Sequence, residues 1–133
     1  MAKHIYYFHL LAGMCMLELG NLASSLAPFN VSAVSVSLNA NAQEAGLVVT
    51  LELFFAAISS LYFGTVAYKG KVLGLFGSLI VVTCYYLCSI AENIDQITII
   101  KGFSGVGCGM LIASGHSILA SSYDPNRLSL IHI

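Results

Sequence analysis

The chain has 133 residues, of which 58% are hydrophobic and 8% are charged, and its mean hydropathy is +0.88. A soluble domain carries roughly a quarter charged residues, so this composition excludes an ordinary water-soluble fold. The net charge of −1 provides no basic surface for nucleic acid. We therefore expect an all-α, polytopic membrane helix bundle that has the lipid bilayer as its first partner.

Four stretches have the length and apolar character of membrane spans, which need about 20 residues each. In chain order they are residues 5–38, 45–67, 72–90 and 102–122. The connections are short, so each predicted helix should run antiparallel to the one before it. In the first connection, Asn41 and Glu44 have the spacing of a capping box, and Pro125 should end the last helix.

The positive charges predict the orientation in the membrane, because lysine and arginine are enriched in cytoplasmic loops. With the N-terminus in the cytoplasm, only Lys101 falls in an external loop. Four positive charges then lie on the cytoplasmic side: Lys3, Lys69, Lys71 and Arg127.

The strongest candidates for function are Glu18 and Glu52, and Glu18 lies in the first predicted span. A carboxylate at this depth costs at least ~2.5 kcal/mol and usually faces a cavity or a partner. Asn21 and Ser25 follow on the same helix face. Two interpretations stay open. The face lines a solute pathway with Glu18 as a proton or cation site, or Glu18 joins helices through hydrogen bonds.

Two further candidate functional residues lie inside the predicted spans. Glu52 has small, apolar neighbours on its helix face, which favours an interhelical hydrogen bond, although a place in the solute pathway remains open. His116 shares a face with Gly105 and Gly109, a small-xxx-small pair that allows another backbone to approach closely. A histidine there is more often packed and hydrogen-bonded, and the alternative is a proton relay.

No motif of enzyme chemistry occurs in the sequence, and we expect neither a cofactor nor a metal site. The cysteines lie in apolar runs without a histidine or carboxylate close in sequence, so a zinc site is not indicated. We expect the thiols to act as small packing groups: Cys15, Cys84, Cys88 and Cys108.

Three stretches together resemble the N-terminal portion of a major facilitator superfamily (MFS) transporter, over nearly the full chain. Residues 38–46 look like the short first external loop of that family. Residues 64–71 look like a degraded form of its signature G-x-x-x-D-R-x-G-R, with one residue missing and Tyr68 in place of the acid. The positions that echo the signature are Gly64, Lys69, Gly70 and Lys71.

The third stretch, residues 101–107, is similar to the fourth-helix motif R-x-x-x-G-x-G of the same family. Lys101 replaces the arginine, and Gly105 and Gly107 match the glycines. In the family this basic residue is linked to proton coupling, and the resemblance implies that role for Lys101.

The resemblance implies a twelve-helix secondary transporter that moves a small solute by alternating access, is coupled to protons as a symporter or antiporter, and resides in the bacterial inner membrane. Residues 1–127 would supply four helices of the N-terminal six-helix half, with the remaining helices of the full-length transporter as partners. Residues 128–133 resemble one reading frame of a transposon-derived sequencing adapter, and we expect them to be non-native. Two alternatives stay open, a complete four-helix exporter and a non-transporting membrane subunit.

Overall fold

The computed structural model describes residues 2–65 and 70–122, and its elements there are five α-helices. In chain order they are α1 (Ala2–Ser25), α2 (Ala27–Leu38), α3 (Ala42–Thr65), α4 (Gly70–Ser89) and α5 (Ile94–Ser122). The all-α prediction is confirmed. Helices α3, α4 and α5 are each long and apolar enough to cross a membrane, and α1 with α2 adds a fourth span if the bent pair is one span. Pro125 and residues 128–133 lie outside the described residues.

The prediction of one continuous helix over residues 5–38 is wrong. The chain bends by 49° between α1 and α2, at Leu26. Pro28 is in the first turn of α2 and has no N–H to donate to the carbonyl of Ser24, four residues earlier. Its ring also crowds that carbonyl, which is the usual cause of a proline kink.

The turn between α2 and α3 confirms the predicted capping box. The backbone N–H of Glu44 donates to Asn41 Oδ1 at 2.8 Å, and the backbone N–H of Asn41 donates to Glu44 Oε2 at 3.1 Å. Asn39 ends α2 in the left-handed region, with φ of 50°. Asparagine tolerates this conformation better than most residues, so the local sequence alone explains this turn.

Helix α5 is the centre of the bundle, and α1, α3 and α4 pack around it. In its apolar stretch 61% of the residues are buried, against 28% in α3 and 22% in α4. Gly77 meets Gly107 and Gly70 meets Ser117, so the contacts run in opposite order along α4 and α5. These two helices are therefore antiparallel, as their short connection predicts.

Small residues on α5 allow its neighbours to approach at backbone distance. A Cβ atom on Gly105 would collide with the carbonyl oxygen of Glu52, and one on Gly109 with that of Ala56. On another face, a Cβ atom on Gly107 would lie 3.0 Å from the carbonyl oxygen of Gly77. The predicted small-xxx-small contact is confirmed, and its partner is α3.

We predict opposite effects for alanine at two glycines in helices. Gly46→Ala should be neutral or stabilising, because nothing lies within 4 Å of the new Cβ atom and alanine is the better helix former. Gly105→Ala should destabilise the protein by about 1–3 kcal/mol, because the new methyl group overpacks the contact with α3. Thermal unfolding in detergent micelles measures both, and an unchanged midpoint for Gly105→Ala would contradict the packing described above.

Candidate functional site

A buried ion pair joins α3 to α5. Lys101 Nζ donates to Glu52 Oε2 at 3.2 Å and to Glu52 Oε1 at 3.3 Å. Ser104 Oγ donates to Glu52 Oε1 at 3.0 Å. Glu52 is 0% exposed and Lys101 is 5% exposed, so both charges are removed from the surroundings of the bundle.

The helices place these groups by their register. Glu52 is near the middle of α3, and Lys101 and Ser104 are one turn apart on α5. Gly105 allows the α3 backbone to lie against α5 at this level. From α4, the ring of Tyr85 approaches the ammonium group, with its centroid 4.3 Å from Lys101 Nζ. A cation–π contact of this kind stabilises a desolvated cation, so three helices meet at one charge.

The predicted position of Lys101 in an external loop is wrong. Helix α5 begins at Ile94, eight residues before the predicted start, so Lys101 lies about two turns inside the helix. Its charge is accommodated there because Glu52 neutralises it. The prediction of an interhelical contact for Glu52 is confirmed, although its charged partner was not anticipated. Ser104 and Tyr85 were missed too, and the three-residue spacing of Lys101 and Ser104 was the available signal.

The pair is sensitive to the loss of either member. Two opposite charges in a low-dielectric interior compensate each other's desolvation only while they stay in contact. A proton on Glu52, or a competing charged group, would leave the ammonium of Lys101 without its counter-charge. The cluster is therefore suited to respond to a proton or a charged ligand.

The predicted polar face of α1 lies on the outside of the described bundle. Glu18, Asn21 and Ser25 are all exposed. Asn21 Nδ2 donates to the carbonyl of Leu17 at 3.0 Å, and Ser25 Oγ donates to the carbonyl of Asn21 at 3.2 Å. The structure thus keeps these three residues on one face, as predicted, but does not bring them to the Glu52–Lys101 pair.

The contacts of α1 give the depth of Glu18. Leu17 packs against Gly115 of α5, seven residues beyond Cys108, the middle residue of α5. At ~1.5 Å per residue this is about 10 Å from the middle. The hydrocarbon half-thickness is about 15 Å. If the middle of α5 marks the bilayer centre, Glu18 lies within the apolar layer.

His116 lies apart from both polar clusters. On the described bundle it is exposed and not packed as expected, and it lines a cleft of about 540 Å³ between α3, α4 and α5. Gly64 lines the same cleft. Gly70 begins α4, where its carbonyl accepts a hydrogen bond from Ser114 Oγ at 2.6 Å. Lys69 lies outside the described residues.

Metal ligands do not cluster in the part of the chain that the structure describes, where no group of three or more His, Cys, Asp or Glu side chains could hold an ion. Cys84 and Cys108 are buried and Cys88 is half-buried, in agreement with a packing role. Cys15 is exposed, so the packing prediction is wrong for this thiol within the described bundle.

Comparison with known proteins adds no family assignment. No family model, no curated protein and no solved structure matches the chain. The class that the fold defines is an all-α bundle with at least three helices of membrane-spanning character and a buried ion pair between two of them.

We predict that the two members of the ion pair are strongly coupled. Lys101→Met or Glu52→Gln alone should each lower the free energy of unfolding by about 3–5 kcal/mol or prevent folding, because each leaves the other group buried without its partner. The double variant should recover most of this loss. Lys71→Met, at an exposed lysine, is the matched control. Additive losses in a double-mutant cycle, measured by unfolding in micelles, would contradict the pairing.

Proposed function

We propose that this chain is the N-terminal part of a secondary transporter of MFS type, which moves a small solute by alternating access and is coupled to protons. In this proposal α1 with α2 forms one bent span, and the four spans belong to a six-helix half. The protein would reside in the bacterial inner membrane.

The observation that carries the proposal is the exposed position of Glu18 on the outside of the described bundle, inside a helix pair that is long and apolar enough to form a membrane span. A carboxylate in contact with lipid tails is costly, so such residues face a water-filled cavity or another protein segment. Asn21 and Ser25 extend the same exposed face. A central solute pathway, completed by further helices, supplies water and polar partners to this face.

The Glu52–Lys101 pair supports coupling to protons. Lys101 occupies the position of the basic residue in the fourth-helix motif that the chain resembles, and in the family this residue is linked to proton coupling. The partner of Lys101 is the carboxylate of Glu52, which can itself gain a proton. Gain of a proton by Glu52 would release Lys101 from α3. A contact between α3 and α5 that depends on protonation is a means of linking a proton to a helix rearrangement.

The contacts at one end of the bundle fit a cytoplasmic N-terminus. Lys71 Nζ lies 3.0 Å from His9 Nε2, so the start of α4 and the N-terminal part of α1 lie at the same end. With Lys101 paired inside the bundle, the external loops lose their one assigned positive charge. Without a positive charge assigned to the external loops, the positive-inside rule favours a cytoplasmic N-terminus more strongly than it does with Lys101 counted outside.

A complete small exporter that dimerises through the Glu18 face is the second candidate, because the same exposed carboxylate favours it. The reading frame distinguishes the two. Continuation past Arg127 into further apolar spans supports the larger transporter. A stop codon there, together with cross-linking between two copies at Ser25→Cys in a cysteine-free background, supports the dimer.

We predict that Glu18→Gln, made in the protein from the complete reading frame, lowers proton-coupled solute flux roughly tenfold or more. The glutamine keeps the shape and the capacity to form hydrogen bonds but cannot exchange a proton. The measurement is solute-dependent quenching of a pH-sensitive dye in proteoliposomes, with candidate amines, sugars and carboxylates added in turn.

The control for this flux measurement is Glu92→Gln, the same chemical change at an exposed residue between α4 and α5. It should leave the flux unchanged. If Glu18→Gln retains both the flux and its pH dependence, Glu18 has no part in the mechanism. If no solute produces a proton flux in the folded wild-type protein, the proposed function fails.

A further inference from the structure

Within the described residues, Glu18 and Glu52 are the two carboxylates that lie more than one turn from a helix end, and their charge environments differ. Glu52 is neutralised by Lys101. Glu18 has no ion pair within residues 7–65 and 70–121, where the described lysine side chains, Lys71 and Lys101, contact His9 and Glu52 instead. An ionised Glu18 therefore leaves one uncompensated negative charge on the outer face of α1.

The neighbours of Glu18 add hydrogen-bond acceptors to this face. Asn21 uses an Nδ2 donor on the carbonyl of Leu17, and its Oδ1 remains an acceptor. The hydroxyl groups of Ser24 and Ser25 both donate to the carbonyl of Asn21, at 2.7 Å and 3.2 Å. The hydroxyl protons are thus used within the helix, and the lone pairs of the hydroxyl oxygens remain able to accept hydrogen bonds.

The kink contributes another acceptor close by. Because Pro28 has no N–H, the carbonyl of Ser24 lacks its helical donor. The Glu18 face, defined here as Glu18, Asn21, Ser24 and Ser25, thus combines a carboxyl group with several acceptor oxygens. A positively charged hydrogen-bond donor is the complementary ligand.

Exposed apolar side chains flank the Glu18 face along the same pair of helices. Met14 is 54% exposed, one turn before Glu18, and Phe29 is 72% exposed, just beyond the kink. An aromatic ring and a thioether pack favourably against an organic cation that carries apolar groups. A small inorganic cation such as Ca²⁺ instead prefers six to eight oxygen ligands, and the face has one carboxylate.

From this charge pattern we propose that the Glu18 face binds the transported solute and that the solute is an organic cation with an apolar body. This inference rests on the proposed function and names the substrate class of the same site. The carboxylate of Glu18 pairs with the cationic centre, Asn21 and the serines accept its hydrogen bonds, and Met14 and Phe29 contact the apolar body. A proton on Glu18 competes with the solute for the same oxygens.

Two probes of the same shape and opposite charge test the proposal. The complete protein, purified in a neutral detergent, is dialysed to equilibrium against tetraphenylphosphonium or tetraphenylborate. We expect the phosphonium cation to bind and the borate anion to bind roughly tenfold more weakly or not at all. Lowering the pH should weaken phosphonium binding, because protonation removes the charge of Glu18.

Substitutions assign the binding to the Glu18 face. Glu18→Gln should weaken phosphonium binding roughly tenfold or more, which matches the loss of a desolvated charge pair. Glu18→Asp keeps the charge and should retain most of the affinity, and it remains informative if the glutamine variant folds poorly. Glu92→Gln should bind as the wild type does.

Three results would overturn the proposal: equal binding of the two probes, unchanged phosphonium affinity in Glu18→Gln, or no phosphonium binding by the folded wild-type protein. These outcomes are distinct from failure of the proposed function. Proton flux driven by an anionic or neutral solute in proteoliposomes, without phosphonium binding, removes the cationic substrate and leaves the transporter. The absence of any solute-driven proton flux contradicts both the cationic substrate and the proposed transporter function.

Discussion

Backbone-distance packing against α5 is the constraint on which the rest of this structure depends. In lipid the hydrophobic effect does not hold helices together, so close van der Waals contact must do so. Gly105 and Gly109 allow α3 to approach α5, Gly107 allows α4, and Gly115 allows α1. Because these glycines occupy different faces of one helix, α5 is surrounded by three neighbours and becomes the most buried span.

The same close packing creates the buried ion pair. Only where α3 lies directly against Gly105 can Lys101, one turn earlier on α5, reach the carboxylate of Glu52. Ser104 and Tyr85 then complete the surroundings of the two charges from α5 and α4. The packing contact and the polar cluster are therefore one unit, and a rearrangement of α3 against α5 changes both. This linkage is the physical basis for proposing that a proton can drive a helix movement.

The polar groups of the bundle fall into two sets with opposite requirements. The charges of Glu52 and Lys101 are paired with each other, and both residues are buried. The Glu18 face is open, and its side-chain donors are used within α1. A closed pair of opposite charges suits the proposed conformational switch, whereas an open carboxyl group suits the proposed ligand site. The two groups lie on opposite sides of the middle of α5, so the proposed solute site and the proposed switch are at different levels of the bundle.

The sequence by itself determined the all-α class, the apolar spans, the capping box at Asn41 and the small-residue contact of Gly105 and Gly109, because each depends on neighbours along the chain or on one helix face. The tertiary structure decided the partner of Glu52, the burial of Lys101 and the exposure of His116. These depend on helix register and on which faces meet, and a side chain from a distant helix leaves no local mark in the sequence. The kink at Leu26 is an intermediate case. Pro28 is evident in the sequence, but proline occurs both at the start of a new helix and at a kink within one span. Only the tertiary structure shows the 49° bend.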